Sequence, residues 1–193
     1  MAEVPLNSAL LVEGPSDGAA LRLLAERLGL DLGAEGVSIV PMGGYGNFGD
    51  FLERYGPGGL DVRLAGLYDA PEERHFVRGL ARAGFGPSLT PADLEELGFY
   101  ACEANLEDEL TRAMGPAAME ELLEAQGDLR AFRTYQKQPA HRDESIEEQL
   151  RGFLWNRKHR YGLLIVGTLD LARVPRPLTA VLAHVLPAEA PRR

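Results

Sequence analysis

Four short apolar runs, each followed by a turn and then a helix-patterned stretch, constrain this chain more than any other feature. The runs are Ser8–Val12, Val37–Val40, Leu64–Tyr68 and Phe99–Cys102. Apolar runs of this length, bounded by turn residues, read as buried strands. Between the first two, Ser16 caps a helix reaching about Leu28, with Leu21, Leu24, Ala25 and Leu28 on one stripe at helical spacing. The second run leads into the glycine-rich turn Met42–Gly43–Gly44–Tyr45–Gly46–Asn47, then a short helix over 48–55 that Gly56–Pro57–Gly58–Gly59 stops. Pro71–Ala83 carries proline in its first turn, where a helix accepts it, and Thr90–Pro91–Ala92–Asp93 opens another short helix. The order β-α-β-α-β-α-β predicts an α/β fold: a small four-stranded, mainly parallel sheet flanked by helices. Right-handed crossovers then bring the carboxyl ends of all the strands to one rim.

Beyond Asn105 the pattern turns helical, over 106–114, 116–125, 146–155 and 161–171. Pro175–Arg176–Pro177 then precedes a closing helix over 178–185. The polar stretch Tyr135–Glu144 reads as a loop, and Pro187–Arg193 as a frayed tail. This predicts an α/β domain over residues 1–115 and a helical extension over 116–193 packed on it. With hydrophobic residues at 45% and charged ones at 25%, a globular core can form. A net charge of -9 excludes a generally basic surface for gripping nucleic acid, but not a local basic patch. Cys102 is the single cysteine, so neither an intrachain disulfide nor a thiolate zinc cluster is available, and a reducing, cytoplasmic setting is expected. The opening residues lack the pattern of a secretion signal, and no run approaches the roughly 18 apolar residues of a membrane span.

The acids fall at telling places. Glu13 and Asp69 follow the first and third runs, Asp17 lies one helical turn beyond Glu13, and Glu107 sits in the first turn of the helix after the fourth run. A hard cation such as Mg²⁺ or Mn²⁺ prefers carboxylate and water oxygens, and a pair of such ions suits in-line displacement at phosphorus. The helix dipole alone accounts for Asp17, Glu107 and Asp108. It does not account for Asp69 or Glu13, since ionised carboxylates beside a core are costly unless paired or metal-bound. The Gly43–Gly44 turn offers backbone N–H groups to a phosphate, although a plain strand-to-helix turn explains it equally well. The basic run Arg157–Lys158–His159–Arg160, flanked by Trp155 and Tyr161, suits a nucleic-acid backbone and a stacked base, and also suits a solvated helix end. Arg130, Arg133 and Arg142 are candidates to extend that surface. The four histidines show no metal-ligand spacing, Cys102 reads as core, and Ser16 as a cap.

At these residues the sequence resembles the TOPRIM domain, the metal-dependent fold shared by topoisomerases, primases and several nucleases. Val12–Glu13–Gly14–Pro15–Ser16–Asp17 is most similar to TOPRIM domains of the overcoming-lysogenization-defect (OLD) nucleases. Val40–Pro41–Met42–Gly43–Gly44 resembles their second strand and glycine turn, Tyr68–Asp69–Ala70 the start of their Asp-x-Asp motif, and Asn105–Leu106–Glu107–Asp108 their Asn-Leu-Glu segment. Two features depart from the pattern. Pro71 stands where the second aspartate belongs, with Glu72 and Glu73 just after it, and no Walker-type string is present. The resemblance implies metal-dependent hydrolysis of phosphodiester bonds, most simply nicking or cleavage of DNA, with RNA left open. It implies two Mg²⁺ or Mn²⁺ ions on Glu13, Asp17, Asp69 and Glu107; either Glu72 and Glu73 reach back toward the site in place of the missing aspartate, Glu72 being the candidate ligand, or the site has lost one ligand. It also implies a lysine near the site, for which Lys158 fits best and Lys137 competes. With no Walker-type string, the expectation is a standalone nuclease domain or one supplied with an ATPase partner in trans. The rival readings are a non-catalytic module that regulates an ATPase, which Pro71 favours, and a nucleotidyl transferase on the same fold. Oligomeric state is left open.

Overall fold

The computed structural model describes residues 4–187, so most of the expected tail, residues 188–193, lies outside the described residues. In chain order the elements are β1 (Ser8–Val12), α1 (Pro15–Arg27), β2 (Val37–Pro41), α2 (Phe48–Tyr55), β3 (Arg63–Asp69), α3 (Glu73–Arg82), α4 (Pro91–Glu96) and β4 (Phe99–Cys102). Among the described residues these are followed by α5 (Leu106–Met114), α6 (Pro116–Ala125), α7 (Leu129–Gln136), α8 (Ile146–Leu154), α9 (Lys158–Thr168) and α10 (Arg176–Val185). Contacts divide the chain into two compact units, Met1–Asn105 with Arg176–Arg193, and Leu106–Pro175. That division falls elsewhere than a single break after residue 115, because the closing helix α10 joins the unit that holds the sheet.

All four strands run parallel in the order β2-β1-β3-β4. Ser8 lies opposite Val37 on one side and Arg63 on the other, and Gly66 lies opposite Phe99. The period of two along β1 sorts its side chains to opposite faces. Ala9 and Leu11 join a core of Phe48 and Leu52 from α2, Phe76 and Leu80 from α3, and Leu94 from α4. Phe76 is its centre, 4.2 Å from the Phe48 ring, 4.7 Å from Tyr68 and 5.6 Å from Phe99. Gly79 makes this packing fit, since a Cβ there would stand 2.6 Å from Cδ1 of Phe48. On the other face, α1 approaches so closely that a Cβ on Gly18 would meet Ile39 and Val12.

Helix α10 packs on β1, β3 and β4 and buries Leu178, Val181, Leu182 and Val185. Its ends are tied to the same unit. At one end Arg176 forms a two-pronged bond to Glu95, at 2.7 and 2.5 Å. At the other, the Ser8 hydroxyl donates to the Val185 carbonyl at 2.8 Å and the Arg63 guanidinium donates to the Leu186 carbonyl at 2.7 Å. These donors satisfy carbonyls that a helix end otherwise leaves unpaired.

The second unit contains α5 to α9, around buried Leu110, Met119, Leu123, Phe132, Leu150, Tyr161 and Ile165. Helix α7 was not foreseen. Its sequence LRAFRTYQ buries Phe132 alone, too little to make an apolar stripe. Tertiary contacts hold it instead: Phe132 packs on Phe153 at 5.2 Å, and Arg133 donates to both oxygens of Glu120.

Candidate functional site

The strand order turns back between β1 and β3: the chain leaves β1 for β2 on one side and returns to β3 on the other. Open parallel sheets bind ligands at such a switch point, outside the carboxyl ends of the strands. Asp69 is the last residue of β3, and Glu13 immediately follows β1. Adjacent parallel strands therefore deliver two carboxylates to one rim. Asp17 joins them from the first turn of α1, where its Oδ2 accepts the Gly14 N–H at 2.8 Å and closes the start of the helix.

The glycine turn after β2 crosses this rim. Gly43 and Gly44 adopt φ of 73° and 116°, which a side chain would disfavour, and their N–H groups both donate to the Glu13 carbonyl, at 2.9 and 3.1 Å. Those two amides, expected to be open to a phosphate, thus pin the turn to β1. Asn47 tightens it further by donating to the Met42 carbonyl at 2.9 Å. The turn carries Tyr45 over the end of β1 to β3. There the phenol oxygen accepts the Asp69 N–H at 3.2 Å. The ring meets Phe76 edge-on, with centroids 5.8 Å apart. Burial raises the Tyr45 pKa far above the usual phenol range, and the charges of Asp69, Glu13 and Asp17 raise it further. Nothing in the spacing of the sequence singled out Tyr45, whose partner lies 24 positions away.

Pro71 lies in the 3-10 turn Ala70–Glu72 that follows β3. Glu72 stands against His75, with Oε2 3.1 Å from Nε2. Glu73 accepts from the Tyr68 hydroxyl at 3.4 Å. Among the described residues, no three His, Cys, Asp or Glu side chains are grouped tightly enough to enclose a metal ion. The donor set nonetheless fits a hard cation of the Mg²⁺ kind, which takes one or two carboxylates and keeps several waters rather than requiring an all-protein cage.

The remaining candidates belong to the second unit. Glu107 lies in the first turn of α5, its stem beside Gly162 of α9. Asp108, next to it, is buried and bound by Arg151 Nε at 2.7 Å, and Glu109 pairs with Arg112 at 2.6 Å. Lys158 opens α9 with its ammonium 5.7 Å from the centre of the exposed Trp155 ring, and Lys137 is exposed after α7. Arg157 donates to the Phe153 carbonyl at 2.9 Å, and Arg160 to Asp128 and Gln126 at 3.1 and 2.8 Å. Two of the four residues of the basic run are therefore engaged inside their own unit. Cys102 is buried in β4. No helix among the described residues is long and apolar enough to cross a membrane.

Comparison with known proteins bears on the sheet unit directly. Residues 7–70, which hold β1, the glycine turn and Asp69, match the family model described as overcoming lysogenization defect protein-like, TOPRIM domain. That segment is similar to OLD-like TOPRIM domains. Solved structures share the fold over nearly the whole chain. The C-terminal region of the Burkholderia pseudomallei OLD protein is 20% identical with a TM-score of 0.71, covering 92% of this chain and 96% of that one. The C-terminal region of the Xanthomonas campestris pv. campestris OLD protein is 22% identical with a TM-score of 0.70, covering 93% and 91%. No curated protein matches the chain. The four-stranded parallel sheet and its flanking helices share the fold of the OLD C-terminal structures.

Proposed function

We propose that this protein is a metal-dependent nuclease that hydrolyses phosphodiester bonds at the rim of its TOPRIM sheet, with DNA as the substrate class. The observation that carries this reading is the placement of Glu13 and Asp69 at the carboxyl ends of the adjacent parallel strands β1 and β3, at the switch point of the sheet, with Asp17 in the first turn of α1 close behind Glu13. Three negative groups gathered at an open edge repel one another and any phosphate, so a cation is the natural occupant. Mg²⁺ or Mn²⁺ bound there would lower the pKa of a water and offset charge on the attacked phosphate.

In this reading Glu13 and Asp69 are the principal ligands, held in register by neighbouring strands. Asp17 fixes the turn between Glu13 and α1 and adds negative charge to the rim. The OLD-like pattern supports Glu107 as a further ligand and Lys158, ahead of Lys137, as the group that neutralises charge on the phosphate. Glu72 is the weaker candidate for the place of the missing aspartate, given its contact with His75. The same pattern supports an ATPase partner supplied in trans and a cytoplasmic setting.

The second reading is a regulatory module that binds one ion or none. The observation favouring it is Pro71, which puts a 3-10 turn where the family pattern has its second aspartate. Nicking of supercoiled plasmid in Mg²⁺ or Mn²⁺ separates the two. The nuclease reading expects Glu13→Gln and Asp69→Asn each to reduce nicking by about 100-fold or more at unchanged circular dichroism, in line with loss of a group that stabilises developing charge. Folded variants that nick as fast as the parent would contradict it.

A further inference from the structure

We propose that the turn between α8 and α9 is a docking surface for unpaired DNA, with a base stacked on Trp155 and its phosphate held by Lys158. This rests on the reading of DNA as the substrate class, and it names the form of strand that the second unit takes. Among the described residues Trp155 is the most exposed large apolar side chain, at 62%. It opens the 3-10 turn Trp155–Arg157, between buried Leu154 and the start of α9. The turn is braced from below. Arg157 donates back to the Phe153 carbonyl at 2.9 Å and lays its guanidinium 4.2 Å from the centre of the Phe153 ring, which is buried. The indole therefore stands on a fixed corner, and little further ordering is needed when a ligand stacks on it.

The charge around the ring fits a nucleotide. In a chain of net charge -9, residues 149–169 contain Arg151, Arg157, Lys158 and Arg160 and no Asp or Glu. Arg151 and Arg160 pair with Asp108 and Asp128. The charge beside the ring itself is the Lys158 ammonium, 5.7 Å from the indole centre. An aromatic face next to a cation takes a base by stacking and its phosphate by charge, whatever the base. In a duplex each base is covered by its stacked neighbours, so an unpaired strand is what offers a base to a protruding ring. A protein partner would call for a contiguous apolar patch. The residues that follow the ring, 156–160, are instead Asn, Arg, Lys, His and Arg.

Trp155 is the chain's single tryptophan, so its own emission reports the contact. The test is titration of the full chain with a labelled oligothymidylate of about 16 nucleotides, read by tryptophan emission and by anisotropy of the label. EDTA keeps cations off the rim and the strand uncut. Saturation is expected to quench the emission. Trp155→Ala is expected to weaken binding by about 10-fold or more, and Trp155→Phe, which keeps a ring, by less. Lys158→Gln is expected to lower the slope of log affinity against log salt by about 0.7, as loss of one phosphate contact does on a single strand. A blunt duplex of the same length is expected to bind more weakly and to leave the emission unchanged. Equal affinity in the parent and Trp155→Ala, at unchanged melting temperature, overturns the inference. Emission unchanged at saturation, or a duplex bound as tightly as the single strand, overturns it too. Absence of binding to either DNA does the same and points to a protein as the partner of the exposed ring. None of these outcomes decides the nuclease reading, which stands or falls on nicking by the Glu13 and Asp69 variants in Mg²⁺ or Mn²⁺.

Discussion

Asp17 performs a duty separable from any metal. Its Oδ2 closes the first turn of α1 on the Gly14 N–H, so Asp17→Ala is expected to cost about 1 kcal/mol of stability, as loss of a helix cap does. Urea denaturation reads that cost, and an unchanged midpoint would remove the capping role. Gly79 belongs to packing alone. A Cβ there would enter the Phe48 ring, so Gly79→Ala is expected to destabilise by about 1–3 kcal/mol, measurable as a lower melting temperature. Glu13 and Asp69 were legible in the sequence because an ionisable group directly after an apolar run has few structural uses. Tyr45 was not, because its significance comes from a residue on a strand two places away in the sheet. Glu72 is near Asp69 in sequence, and the helical start that follows sets it against His75, three residues on.

Strands were legible to within a residue or two, since fully buried parallel strands read as continuous apolar runs. The helices of the first unit followed from their caps and prolines, as at Thr90, which accepts the Asp93 N–H while Asp93 accepts the Thr90 N–H. Helix α7 was hidden because its stability lies in Phe132 and the Arg133–Glu120 pair rather than in a periodic stripe. Helix α10 was recognised as a helix but not as a partner of the sheet, for no local pattern tells which surface an amphipathic helix covers. It also brings a pH response. His184, near the end of α10, has its Nδ1 3.4 Å from the Tyr100 hydroxyl, and Arg63 is the charged neighbour. Burial, then the charge of Arg63, lowers its pKa. The folded state therefore resists protonation more than the unfolded chain does, so the stability involved is complete above the ordinary histidine pKa of about 6.5 and is lost as pH falls through the folded pKa. The fall in melting temperature from pH 7.5 to pH 5.5 is expected to be smaller in His184→Asn than in the parent. An identical slope in the two proteins would show that His184 carries none of it.

At the scale of the whole molecule, the sheet-bearing unit is discontinuous in sequence, built from the first 105 residues and the closing helix. Removal of α10 exposes the faces of β1, β3 and β4 that Leu178, Val181, Leu182 and Val185 cover, so a chain ending at Pro175 is expected to lose amide protection in all three strands. Hydrogen exchange reads this directly, and full protection in the shortened chain would show that the sheet stands without its last helix. The net charge of -9 gives the rim a role in the same balance, since an acidic molecule approaching a polyanion gains from a cation held at the point of contact. The account depends on that cation being held where β1 and β3 end. Anomalous diffraction from crystals soaked in Mn²⁺ tests this most directly. It is expected to show a peak within coordination distance of both Glu13 and Asp69. A peak elsewhere, with none on this rim, would contradict the account.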